Sequence, residues 1–330
     1  MIEGSESGRL EPGEGFGEAH ANRLVRLVGG GEDGYGEDIT LFMSEAPALP
    51  LEGEWTIGSF CEHLATVDQW REPPEWEMGR RWRSWSYESS ALDLALRQAG
   101  NPLHEVLGLD PRPVTFVNSL DLGDPPLADT ILRRLQHYPR LRFKLDAKPD
   151  WTPEIIDALV GTGAVETVDF KGHYGMEIED LPALFSLYDR VLDAFPDALL
   201  EDPHDLPEVA ERLGPHLDRI AYDAPIATVA DLEATPLEAR TFNIKPSHVG
   251  RLETLFELYA ACQERGLAMF GGGMGELGVA RGQIQLLASL FSPDGPNDIA
   301  PSGFNALDPA LDLETSPLPA RPAPTGFRRA

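Results

Sequence analysis

A chain of 330 residues with a formal net charge of −28 has room for one large domain or two ordinary ones, and for a sizeable core. The acidity is spread along the chain and no basic stripe is present to neutralise phosphates, which argues against nucleic acid and an anionic membrane as partners. Cys61 and Cys262 lie far apart without metal-ligand spacing, so no disulfide framework is expected and a reducing compartment is.

The first twenty residues are rich in Gly, Glu and Ser, and are expected to be disordered. They lack the basic and apolar runs of a signal peptide, and no stretch reaches the roughly 18–20 apolar residues of a membrane span. The expectation is a cytoplasmic protein. Residues 21–110 open with two strand-like pieces, "RLVRLVG" and "YGEDITLFM". Two helical patterns follow, "TIGSFCEHLATVD" and "SYESSALDLALRQAG", the second stopped by Gly100. This reads as an α+β module.

From Pro111 the texture changes to alternating strands and helices. The strands are "PVTFVNSL", "RLRFKLDA", "VETVDFKG", "ALLEDP", "RIAYDAP", "TFNIKPS", "LAMFGGGM" and a short "NDIAP". Eight strands joined by seven mostly helical connections predict a parallel (β/α)7β TIM-like barrel over residues 111–305, with a doubly wound open sheet as the alternative. The span is shorter than the roughly 250 residues of a complete barrel, so the connections must be short. Residues 306–330 carry so many prolines that a disordered tail is expected.

Side chains alternate between the two faces of a strand. Phe143 and Leu145, Val168 and Phe170, Ile220 and Tyr222, and Phe242 and Ile244 therefore face surrounding helices. The opposite faces point into the barrel mouth with Arg142, Lys144, Asp146, Thr167, Asp169, Lys171, Asp223, Asn243 and Lys245. Three successive strands each bring one acid: Asp169, Glu201 and Asp223, separated by 32 and then 22 residues. Carboxylates converging there would repel one another without a cation, and hard oxygen donors unaccompanied by His or Cys favour Mg²⁺. The next strand brings Lys245 beside them. Each residue alone reads equally well as an ordinary ion-pair partner; the set at matching strand ends points to a site.

At this point the sequence resembles the enolase superfamily, on its muconate-lactonizing-enzyme and mandelate-racemase side, over roughly residues 21–305. "GYGED" resembles that family's Gly-x-Gly-Glu strand end, and "YESSALDLALRQAGNPLHEVLG" its capping-domain helix and stop. The family's three metal acids fall on Asp169 of "VDFKG", Glu201 of "LLEDP" and Asp223 of "YDAPI", and its sixth-strand lysine on Lys245 of "NIKPS". "MFGGGMGELG" resembles its Gly-Gly-Met-x-Glu run and would put Glu276 at the mouth. The module at 21–110 then becomes a capping domain, atypical in being short of early strands.

The departures bear on chemistry. The family's second strand normally ends in Lys-x-Lys, the second lysine being the base; here it reads Arg142-Phe143-Lys144-Leu145-Asp146. Aligning Arg142 and Lys144 with the pair keeps the base, whereas aligning Lys144 and Asp146 replaces it by an acid; the first alignment is preferred because arginine commonly stands in for the first lysine. Lys171 stands where Asp-x-Asn is usual.

The resemblance implies Mg²⁺-dependent removal of a proton next to a small substrate's carboxylate, through an enolate. Lys144 and Lys245 would be the catalytic pair, with Arg142, Lys171 and Glu276 as substrate-binding residues and Asp169, Glu201 and Asp223 as metal ligands. Lysines on two faces suit a racemase or epimerase of an amino-acid derivative, and also a cycloisomerase or syn-dehydratase. The competing expectation is a catalytically silent barrel acting as a binding protein. A homo-oligomer is expected by analogy alone.

Overall fold

Alternation along the first strands builds the N-terminal layer. In the computed structural model, which describes residues 1–11, 21–175, 178 and 180–330, β1 (Gly4–Leu10) pairs antiparallel with β2 (Asn22–Gly29), and β2 with β3 (Glu32–Asp38). Val25 and Leu27 of β2 are buried against Phe60 and Leu64 of α1 (Ile57–Thr66) and Ala91 and Leu94 of α2 (Gly79–Ala99). Gly100 ends α2 at φ 70°, as its position in the sequence predicts. The short α3 (Leu103–Leu107) leads into the second layer.

"GYGED" has a steric explanation. Gly34 and Gly36 lie under α2, where a Cβ would run into the Ser90 and Ser86 carbonyls. The helix offers serines at these points, and the Ser90 hydroxyl donates to the Gly34 carbonyl at 3.0 Å. Small residues on both sides let helix and strand approach closely. That is the role of Ser89 and Ser90, which show no nucleophile pattern in the sequence.

The second layer is a parallel sheet in sequential order: β4 (Asn118–Leu120), β5 (Phe143–Asp146), β6 (Val165–Asp169), β7 (Leu199–Glu201), β8 (Ile220–Tyr222), β9 (Thr241–Ile244) and β10 (Ala268–Gly271). Helices α4 (Asp129–His137), α5 (Pro153–Thr162), α6 (Leu181–Ala194) and α7 (Pro207–Leu213) connect the first five strands. Among the described residues, a 3-10 turn at Val229–Glu233 is the only regular element between β8 and β9. The short α8 (Pro246–Val249) and α9 (Leu252–Arg265) lead to β10, and α10 (Val279–Phe291) follows it. The expected eighth strand is reduced to two parallel bridges, Gly272 with Asp298 and Phe116 with Asn297, which join the last strand to the segment before β4. The chain is thus a TIM-like barrel with an α+β N-terminal cap.

Phe143, Leu145, Val168, Phe170, Tyr222 and Phe242 all enter one continuous core with the surrounding helices. Full burial of such a side chain contributes about 1.5–3 kcal/mol, which offsets part of the cost of a charged interior.

Two expectations need correction. Residues 4–10, expected to be disordered, form β1, and Ile2 is buried beside it. Ladder hydrogen bonds come from the backbone, so a Gly/Ser/Glu-rich edge strand gives no apolar signal. Residues 12–20 lie outside the described residues. The tail 306–330, also expected to be disordered, is anchored: Leu318 and Phe327 are buried, and Leu318 exchanges backbone hydrogen bonds with Val114. Its prolines exclude a continuous helix or strand, but an extended strap pinned by single bridges, Leu318 to Val114 and Gly326 to Pro102, and by buried side chains needs neither.

Among the described residues, no helix is long and apolar enough to cross a membrane.

Candidate active site and metal centre

The C-terminal ends of β6 and β7 place Asp169 and Glu201 side by side as register partners, and Asp223 follows β8 immediately. All three are buried, and one oxygen from each lies within 4.8 Å of the others. The next residue after Glu201, Asp202, adopts φ 46°, in the left-handed region, and its carboxylate accepts the Asp223 and Ala224 backbone N–H groups at 2.8 and 3.0 Å. That fixes the start of the loop carrying Asp223. A non-glycine residue held there costs on the order of 1 kcal/mol, and such strain concentrates at functional sites.

Three ammonium groups meet the acids. Lys144 Nζ lies 2.5 Å from Glu201, 3.0 Å from Asp169 and 3.7 Å from Asp298, and its side chain is 1% exposed. Lys245 Nζ lies 2.5 Å from Asp223 Oδ2, which also accepts the Tyr174 hydroxyl at 3.1 Å. Lys171 Nζ lies 2.5 Å from Asp169 and 3.2 Å from Asp146. Glu201 Oε1 additionally accepts the Asn243 amide at 3.1 Å, but Glu201 Oε2 is buried without a hydrogen-bond partner among the described residues.

These contacts set the charges. Burial raises the Glu201 carboxyl, Lys144 opposes the rise, and Asp169 and Asp223 add to it, leaving it pushed up to about 7. Burial also works against ionised Asp169 and Asp223, yet Lys144 and Lys171 around the first, and Lys245 beside the second, hold both below the usual carboxylate range. Burial opposes charge on Lys144 and Lys245 too, but the adjoining acids keep both ammonium groups well above the ordinary lysine value.

A divalent cation fits this donor set. Three hard oxygen donors converge, one buried oxygen has no partner among the described residues, and the crowding that raises Glu201 is the repulsion a cation would relieve.

The inward faces expected from sequence thus bring Asp169, Glu201, Asp223, Lys144, Lys171 and Lys245 together. Two residues fall elsewhere. Arg142 precedes β5 at the opposite end of the barrel, is 43% exposed and lies 3.9 Å from Glu166, so it does not reach the mouth. Its period-two partner Lys144 lies deep, paired in register with Thr167, while Asp146 pairs with Asp169 at the rim. The second strand therefore presents Lys144 and Asp146 at the site, and Arg142 does not reach it. Glu276 is wholly buried, its carboxylate taking the Ser247 hydroxyl and the Met274 N–H, so it braces the turn after β10.

Asp298, Tyr174 and Asp202 were missed by the sequence reading. Asp298 stands in "NDIAP", too short to show a period. Tyr174 lies in a loop, where no periodicity exists. Asp202 looks like a neighbour of Glu201 on the outer face until the left-handed backbone turns it.

Comparison with known proteins follows the same lines. The family described as "Domain of unknown function (DUF8230) C-terminal domain" matches residues 110–306, and its N-terminal domain counterpart matches residues 1–106. The chain is 28% identical over 234 residues to an o-succinylbenzoate synthase of Bacillus subtilis, covering 68% of this chain and only 60% of that relative's length. It is 27% identical over 296 residues to an N-succinylamino acid racemase of Thermus thermophilus, covering 84% of this chain and 77% of the relative. Among solved structures, a member of the enolase superfamily of unknown function from Enterococcus faecalis superposes with a TM-score of 0.63 at 22% identity, over 91% of this chain and 86% of that one. The fold is that of the enolase superfamily.

Proposed function

We infer that this chain, which belongs to the DUF8230 family and carries the enolase-superfamily fold, is an enzyme that removes the proton next to the carboxylate of a small acid through an enolate. The observation that carries this reading is the buried triad Asp169, Glu201 and Asp223, with a Glu201 oxygen that has no partner among the described residues and lysines on both sides of it.

Asp169, Glu201 and Asp223 would hold Mg²⁺, which supplies positive charge where the enolate develops. The remaining chemistry belongs to the chain. Lys245, on the sixth strand, takes the α-proton in its amine form as the C–H electron pair passes into the enolate. An ammonium on the other side of the mouth returns a proton to the opposite face, which gives racemisation or epimerisation. If the proton is not returned, loss of a leaving group gives elimination instead. A lysine serves as base when its pKa falls toward neutrality. In the metal-free site burial opposes charge on Lys245, but Asp223 holds its ammonium well above the ordinary value, and a cation taking up that carboxylate would remove this hold.

The names of the relatives point to an acid bearing a succinyl group, so N-succinylamino acids are the first substrates to try. NMR in D₂O with Mg²⁺, repeated with EDTA, should show metal-dependent loss of the α-proton signal. Lys245→Ala should lower that exchange by about 100-fold or more. Tight Mg²⁺ binding with no exchange on N-succinylamino acids, dipeptides or hydroxy acids would overturn the enzymatic reading in favour of a silent binding barrel.

A further inference from the structure

The C-terminal strap crosses the end of α4, which leads into the start of β5 and so lies at the opposite end of the barrel from the acids. It is held there from beneath. Arg134 of α4 donates to the Ala306 and Phe304 carbonyls at 2.7 and 3.3 Å. The Tyr138 hydroxyl donates to the Ala310 carbonyl and accepts the Leu313 N–H at 3.1 Å. Its ring packs edge-on against buried Phe304 at 4.9 Å between centroids. The inner side of residues 304–313 is therefore fixed. Its outer side carries Leu307 and Leu311, which are 67% and 71% exposed. A single exposed leucine needs no explanation. These two line one groove of about 360 Å³ together with Arg133, His137 and Asp308, and Leu132, next to Arg133 on α4, is exposed as well.

The charge here departs from that of the whole chain. The net charge is −28, yet no acid stands between Asp129 and Asp146. Arg133 and Arg140 of that span are exposed, as are Asp308 and Asp312 on the strap. Nearby ion pairs join Arg142 to Glu166 and Arg329 to Glu314; among the described residues Arg133, Arg140, Asp308 and Asp312 have no such partner. Two cations on the helix side and two anions on the strap side make the patch neutral and complementary to itself. Screening at physiological salt acts over about 8 Å, so repulsion between two copies is set by the charges beside the contact. Most of an acidic surface would press acid against acid, and this patch does not.

We propose that this face binds a second copy of the chain in an isologous dimer. A two-fold axis at the groove lays the strap of each copy on α4 of the other. Leu307, Leu311 and Leu132 of both copies then cover one another, while Arg133 and Arg140 of one meet Asp308 and Asp312 of the other. Both mouths stay open, because the contact lies at the far end of each barrel.

Sedimentation velocity on the full chain at about 10 μM should give the mass of two chains. Leu307→Asp combined with Leu311→Asp should raise the dissociation constant by about 100-fold or more. Both leucines are exposed, so circular dichroism should show that variant as folded as wild type. A charge exchange tests the arrangement itself. One chain carries Arg133→Asp and Arg140→Asp, the other Asp308→Arg and Asp312→Arg. Each alone sets like charges against one another across the axis and should sediment as a monomer. Mixed, the two chains make both contacts complementary and should dimerise. Wild-type chain that stays monomeric at about 100 μM overturns the proposal. So does a dimer that survives the leucine substitutions. Exchanged chains that dimerise alone, or that stay apart when mixed, overturn the packing of strap on helix. None of these readings depends on a metal or on the chemistry of the mouth.

Discussion

Glu37 and Glu201 are both buried glutamates in this chain, and they are satisfied in opposite ways. Glu37, at the end of β3 in the cap, accepts the Leu277, Gly278 and Ala280 N–H groups at 2.5, 2.9 and 3.3 Å and the Asn22 amide at 2.7 Å. Its carboxylate caps α10 of the barrel and favours the positive end of that helix, so it ties cap to barrel. Glu201 sits among other acids, relies on Lys144 and Asn243 for one oxygen, and leaves the second without a partner among the described residues. A buried charge saturated by fixed backbone donors is architecture. A buried charge that depends on movable cations and keeps an oxygen free is poised to bind something. Burial alone does not separate the two; the account of donors does.

Exchanging the two losses should break this comparison most clearly. Glu37→Ala strands backbone donors at the cap–barrel junction and should cost about 3 kcal/mol of stability. Its barrel acids remain, so Mg²⁺ should still bind. Glu201→Gln removes one of three crowded carboxylates and should leave the stability of the metal-free protein within about 1 kcal/mol of wild type. Mg²⁺ affinity should fall by about 100-fold or more. Thermal unfolding and calorimetric Mg²⁺ titration of both variants read the two axes. If Glu201→Gln destabilises as much as Glu37→Ala does, the triad is structural.

A smaller effect tests how closely Lys245 is held. A Cβ on Gly272, just past β10, would stand 2.5 Å from Asn243 Oδ1 and 2.7 Å from Lys245 Cε. Gly272→Ala should therefore displace the Lys245 stem and the Asn243 amide together, at about 1–3 kcal/mol. The α-proton exchange of the proposed reaction should slow while Mg²⁺ affinity changes little. Unchanged exchange would mean that the lysine has slack to give.

Most of the barrel was legible because its signals are local and repeated. Phe143 and Leu145 alternate with Lys144 and Asp146, and the same period recurs in each later strand, so both the helix-facing shell and the inward charges follow from one rule. The three acids were legible for the same reason, since each ends one of three successive strands, about one strand–helix unit apart. What stayed hidden does not repeat. β1 shows no apolar period, the tail strap has no regular period at all, and Asp298 lies on a strand reduced to bridges. Depth along a strand was also hidden. Period two puts Arg142, Lys144 and Asp146 on one face, but which of them reaches the rim depends on register with β6, a long-range fact.

The last test uses pH and turns on Glu201 between pH 5 and 7. Its carboxyl is pushed up to about 7, from 4.5 in its ordinary state, first by burial and then by Asp169 and Asp223 against the pull of Lys144. Over that window the folded, metal-free protein binds a proton that the unfolded chain has released. Glu201 therefore contributes stability below the ordinary carboxyl value, and that contribution is lost as pH rises through about 7. Asp169 and Asp223 have the opposite sign, being held low, and their contribution is lost only as pH falls below the ordinary aspartate range. A cation at the triad requires Glu201 ionised, so its proton must leave on binding. Mg²⁺ affinity should accordingly be flat above pH 8 and fall by up to about tenfold per pH unit below 7. Calorimetry in buffers of different ionisation enthalpy should register close to one proton released per Mg²⁺ at about pH 5.5 and almost none at about pH 8. Equal proton release at both would mean that Glu201 is already ionised in the metal-free site, with Lys144 outweighing burial and the two neighbouring acids.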